Sequence, residues 1–151
     1  MLRTFARLLA VGAFVLAAAV PTTASAAGGG GGVGMTVAIG APITLTDRIL
    51  VTLPVTVTCT TTLPNPFQFG SIFVSIQQAS GKSVSHGSGR LELTSCPATP
   101  QTFNVLVTPD VFSSPSSPFH GGGAIAFAGA SACDITFICI GGSVGPVSVR
   151  L

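Results

Sequence analysis

Two strings in this 151-residue sequence have the residue types and spacing of hydrolase chemistry. Gly141-Gly142-Ser143-Val144-Gly145 fits G-x-S-x-G, the turn that exposes a serine nucleophile. His120-Gly121-Gly122-Gly123 fits the glycine-rich string whose backbone donors hold an oxyanion. That chemistry needs the serine on a strand-to-helix elbow, with the acid and the histidine later in the chain. Only six residues follow Gly145, and none is His, Asp or Glu. Both strings therefore read as Gly-rich turns ahead of a last strand.

General acid–base work needs titratable groups gathered in one pocket. Beyond the N-terminal segment the supply is His86, His120, Asp47, Asp110, Asp134 and Glu92. His86 falls in the turn-rich segment 80–88, and His120 sits beside three glycines. Asp110 and His120 are separated by a Ser/Pro loop that gives no reason for them to meet. No C-x₂-C or H-x₃-H pair suggests zinc. The glycines 28–32 lack the Lys-Ser/Thr that completes a phosphate loop. The expectation is a non-enzyme without metal or cofactor.

The residues left for recognition are apolar. Phe112 and Phe119 bracket a Ser/Pro-rich loop within 109–123, and Phe67 and Phe69 flank another within 63–70. Loops at the ends of a rigid scaffold are where ligands are contacted, so these four are candidate contacts for a small apolar ligand. The competing reading is that they tuck under the scaffold as caps.

The elements that must position them have period two. Ile49, Val51, Leu53, Val55, Val57 and Cys59 alternate with a Thr-rich row, which places one row inward and the other toward water. Pro54 cannot donate to a ladder, so an edge or bulge is expected there. Similar runs occupy 36–46, 71–77, 89–95, 101–108, 124–130 and 143–151, and Gly, Pro and Ser cluster between them. No helical stripe is seen outside the N-terminal segment. The expected fold is all-β, an antiparallel immunoglobulin-like β-sandwich of about seven strands.

Four cysteines in a chain this small imply two disulfides if it folds in an oxidising compartment. Cys59 ends the strongest strand and Cys96 follows another, which favours Cys59–Cys96. Cys133 and Cys139 are close enough to staple a hairpin-like loop. Chain entropy assigns about 3.9 kcal/mol to the longer loop and about 2.4 kcal/mol to the shorter.

The address comes from the N-terminus. Arg3 and Arg7 precede the uncharged apolar run 8–20, and Ala24-Ser25-Ala26 follows. This is the order of a signal peptide cleaved near Ala26, and the run is shorter than the roughly 20 residues that span a bilayer. The chain divides into a signal peptide (1–26), a Gly-rich flexible leader (27–34) and a β-sandwich domain (35–151). After cleavage four basic residues face four acidic ones. A neutral surface lacks the basic face that nucleic acid requires, and nothing in the processed chain would anchor it in a membrane.

Several segments together resemble a group of small secreted actinobacterial immunoglobulin-like proteins of unknown function. They are Val55-Thr56-Val57-Thr58-Cys59, Ile72-Phe73-Val74-Ser75-Ile76-Gln77-Gln78, Cys96 with Gln101-Thr102-Phe103-Asn104-Val105, and Ala132-Cys133-Asp134. The resemblance implies the sandwich and an extracellular address, and carries no catalytic residue. In architecture alone the chain is also similar to neocarzinostatin-type apoproteins, which implies an apolar-ligand carrier as one possible role. The functional expectation is a secreted binding or structural module, its partner a cell-envelope component or a small apolar ligand.

Overall fold

The computed structural model describes residues 34–110 and 117–151. Eight strands run in chain order: β1 (Met35–Ile39), β2 (Thr44–Thr46), β3 (Leu50–Cys59), β4 (Phe67–Ser80), β5 (Ser83–Leu93), β6 (Gln101–Pro109), β7 (Gly123–Asp134) and β8 (Cys139–Arg150). Every named strand pairing is antiparallel, in the order β1-β3-β6-β5-β4-β7-β8, and β2 adds to β3 beside β1. The all-β expectation holds, with eight strands rather than seven. The export segment and the leader up to residue 33 lie outside the described residues, as does Phe112.

The strands form two layers. β1, β2, β3 and β6 make one, and β5, β4, β7 and β8 the other. They join at one corner through only Gly87↔Pro109 and Ser88↔Thr108. At the opposite corner a single parallel bridge, Gly34↔Gly141, brings β1 to β8. Both corners depend on missing side chains. A Cβ on Gly89 would run into the Leu106 carbonyl oxygen, and one on Gly142 into that of Met35. The sandwich thus nearly closes on itself, which leaves little open strand edge.

The alternation read from the sequence becomes the core. Val51, Leu53, Val55 and Val57 of β3, Ile72, Val74 and Ile76 of β4, and Val105 and Val107 of β6 are all buried. The β3 and β6 residues line the inner face of one layer; in the other, the β4 residues sit beside a row of buried small side chains on β7, Ala124, Ala126, Ala128, Ala130 and Ala132. Large residues against small ones let two layers interdigitate without voids. Ile49, first in the sequence pattern, precedes β3 and is exposed.

Pro54 lies inside β3, paired with Asn104 on one flank. On the other flank β1 has ended opposite Val55 and β2 has not begun until opposite Thr52. The missing donor therefore falls in a break between two short edge strands, where Gly40 N–H still reaches the Pro54 carbonyl at 2.8 Å. The turn expected over 80–88 is much shorter. β4 and β5 form one long hairpin whose pairing runs from Gly70↔Leu93 to Ser80↔Ser83. Its turn is centred on Gly81, at a φ of 61° that suits glycine. His86 accordingly sits on a strand rather than in a loop.

Candidate functional site

The cysteines pair as Cys59–Cys96 and Cys133–Cys139. The first ties the end of β3 to the connection between β5 and β6, where Cys59 N–H also donates to the Pro97 carbonyl at 2.7 Å. The second joins the last pair of the β7–β8 hairpin, with Cα atoms 4.0 Å apart. With all four thiols committed to disulfides, they are closed to metal ligation. Two such bridges suit an oxidising, extracellular compartment.

The hydrolase-like residues do not come together. Ser143 lies opposite Gly129 on β7, whereas His120 precedes Gly123 at the start of that strand. Six strand residues separate the two levels, roughly 20 Å at the rise of a β-strand. The His120 ring faces backbone carbonyls, with Nδ1 3.1 Å from Gly121 and Nε2 3.2 Å from Ala79. Asp110 accepts a hydrogen bond from Ser88 Oγ at 2.7 Å.

The three described phenylalanines of the candidate set also separate. Phe119 is fully buried. Its N–H donates to the Arg48 carbonyl, Arg48 Nε donates back to its carbonyl, and its ring packs over Gly87. Gln78, itself buried, fixes the neighbouring residue. Its Nε2 donates to the His120 carbonyl at 2.7 Å and its Oε1 accepts from His120 N–H at 2.9 Å. Phe119 is thus a core side chain at one end of the sandwich. Phe67 and Phe69 lie at the other end, opposite Asp134 and Cys133. Phe67 is half-buried and lines a cleft of about 350 Å³ with Leu63, Asn65 and the Cys59–Cys96 bridge. Phe69 points to solvent.

Phe69 leads to a second feature, at the turn between β7 and β8. Between Cys133 and Cys139 the chain is Asp134-Ile135-Thr136-Phe137-Ile138. Ile135, Phe137 and Ile138 are 53%, 70% and 51% exposed, and Phe69 beside them is 46% exposed. The Phe69 and Phe137 rings are 6.2 Å apart at 56°, a tilted pair. Four large apolar side chains therefore project together from one end of the molecule.

They project because the backbone beneath them is fixed. Asp134 is fully buried, and its Oδ1 accepts from Thr136 N–H at 2.8 Å, Thr136 Oγ1 at 2.8 Å and Ile138 N–H at 3.0 Å. Oδ2 accepts from Asn65 Nδ2 at 3.0 Å. Burial by itself raises the Asp134 pKa, but the hydrogen bonds from Asn65, Thr136 and Ile138 outweigh it and hold the carboxyl at about 2. Ile135 N–H donates to the Pro66 carbonyl, and Phe137 adopts a φ of 62°. A carboxylate saturated by donors from its own turn and from the 63–66 segment, closed by a disulfide, leaves the loop little freedom.

The signal for this tip was present in the sequence. Five residues closed between two cysteines can turn few of their side chains inward, and three of the five are large and apolar. Among the described residues no group of three or more His, Cys, Asp or Glu is placed to hold a metal ion. Comparison of the chain with protein-family models, with curated proteins and with solved structures finds no match.

Proposed function

We propose that the protein is an exported, non-enzymatic module with a binding or structural role at the cell surface or in the medium, and that the Cys133–Cys139 tip is its contact surface. One observation carries this reading: Ile135, Phe137, Ile138 and Phe69 are held out in water by a buried, fully bonded Asp134 and a disulfide. Exposed apolar groups on a rigid loop lose little entropy on docking, and contiguous patches of this kind mark interaction sites. Arg3, Arg7, the apolar run 8–20 and Ala24-Ser25-Ala26 support export; N-terminal sequencing of the external form should begin at Ala27. In the test of the tip, the processed chain is immobilised and challenged with cell-envelope extract. Retention by the wild type and its loss in Phe137→Ser/Ile138→Ser is the expected result. Equal behaviour of the two proteins would count against the tip.

A second reading, a carrier of a small apolar ligand, has its own observation. A cleft of about 460 Å³ opens where β1 and β8 part, between Ile39 and Ile43 on one wall and Val147, Val149 and Leu151 on the other. That size falls in the range of small-molecule sites. Native mass spectrometry of the protein taken from its own medium would show a bound small molecule on this reading, and a bare chain otherwise.

A further inference from the structure

We infer that the partner of the tip is a lipid bilayer surface, into which Ile135, Phe137, Ile138 and Phe69 insert; the inference rests on the tip being the contact surface.

Area is the first argument. A fully buried aromatic side chain removes about 150–250 Å² from water, so four half-exposed side chains offer roughly 400 Å². A standard protein interface needs about 800 Å² on each side. A second copy meeting this one tip to tip would fall well short. A bilayer has no such threshold, since it needs no matching pocket and accepts each side chain separately.

Charge is the second argument. Asp47, Arg48, Lys82, Asp110 and Arg150 all sit at the end of the sandwich away from the tip, in or beside the β2–β3 and β4–β5 turns, the end of β6 and the end of β8. Arg90 and Glu92 lie on β5, opposite Phe73 and Ser71. The one carboxylate at the tip, Asp134, is buried and fully bonded. Among the described residues the exposed ion nearest the tip is Glu92, one residue short of the end of β5; the other exposed charges lie farther off, so shallow insertion of the four side chains desolvates little charge.

The third argument is where the preceding chain enters. Residues 1–33 reach the fold at Gly34, which bridges to Gly141 and lies against Thr61 and Ile140. Ile140 follows Cys139 directly, so the tip and the entry point share one end. A chain emerging from a membrane behind its apolar segment 8–20 presents this end to the bilayer first.

The test is vesicle flotation of the processed chain, residues 27–151, which contains every strand and both disulfides. With phosphatidylcholine vesicles the wild type should float, and equally well when the salt is raised, because no ion pair is involved. Phe137→Ser/Ile138→Ser should lower the partition coefficient ten- to hundredfold, roughly the loss of two partly inserted side chains. Both positions are more than half exposed, and circular dichroism checks that the variant is folded. The chain has no Trp or Tyr, so Phe137→Trp adds a single fluorophore whose emission should shift to the blue with vesicles and be quenched by lipids brominated on their chains. Failure of the wild type to float, or flotation unchanged in the double variant, would overturn the inference. Tip-dependent retention on lipid-free envelope material without flotation would overturn the bilayer and leave the tip as contact surface. A concentration-dependent dimer abolished by the double variant would replace the bilayer with a second copy. Wild-type behaviour of the variant in every arm would remove both readings.

Discussion

Phe119 and Phe137 are the same side chain in opposite settings, and truncating each to alanine should separate the core from the contact surface. Phe119 is fully buried, its ring over Gly87 and its backbone bonded in both directions to Arg48. Removing such a ring forfeits its transfer energy and leaves a cavity, about 3–5 kcal/mol in all. Phe137 is 70% exposed, so it has only about a third of its surface to lose, under about 1 kcal/mol. Urea unfolding of the oxidised protein, followed by far-ultraviolet circular dichroism because the chain has no Trp or Tyr, reads both. With a denaturant slope of about 1–3 kcal/mol/M, Phe119→Ala should lower the midpoint by roughly 2 M, and Phe137→Ala by a few tenths. Gly87→Ala should destabilise from the other side, since its methyl would come within 2.5 Å of the Phe119 ring and 2.7 Å of the Thr108 carbonyl oxygen. A shift below about 1 kcal/mol for Phe119→Ala, or equal shifts at the two phenylalanines, would refute the assignment of Phe119 to the core.

Three further outcomes follow from the same geometry. The Asp134 carboxyl titrates near 2 in the fold against an ordinary 3.8, so its ionised form binds the folded state better. Its contribution is complete above the ordinary value and fades as the pH falls from about 4 toward 2; thermal melts should decline over that window, less steeply for Asp134→Asn. Loss of the Cys59–Cys96 bridge should cost about 4 kcal/mol and loss of Cys133–Cys139 about 2, following loop length, as measured by urea titration of paired Cys→Ala variants. Ser85 is buried with its hydroxyl unbonded; Ser85→Ala removes an unsatisfied group and should leave stability equal or about 1 kcal/mol higher, and a loss of that size would point to a partner for the hydroxyl.

Much of the architecture was legible along the chain because strand side chains alternate with the pleat. The row Val51, Leu53, Val55 and Val57 announced β3 and its buried face, and the cysteine spacing announced both disulfides. The β4–β5 hairpin is longer than the sequence pattern suggests, because Ser83, Ser85, Gly87 and Ser88 look like a turn. Only the pairing partner shows that a strand built of serine and glycine is needed where β5 folds over β6 at the Thr108 and Leu106 carbonyls. Of the four candidate phenylalanines, Phe67 does line a cleft and Phe69 is exposed. Phe119 is claimed by the core, because Gln78 and Arg48, distant in sequence, draw its segment inward.

By itself the amino-acid order determined the class of fold, the cysteine pairing and the poverty of ionisable groups, since all three follow from local pattern, spacing and composition. Which apolar residues face water was decided only in three dimensions. Burial depends on what packs above a side chain, and at the 133–139 turn nothing among the described residues does: Asn65 and Pro66 secure the backbone from below, so Ile135, Phe137 and Ile138 find no described layer to enter.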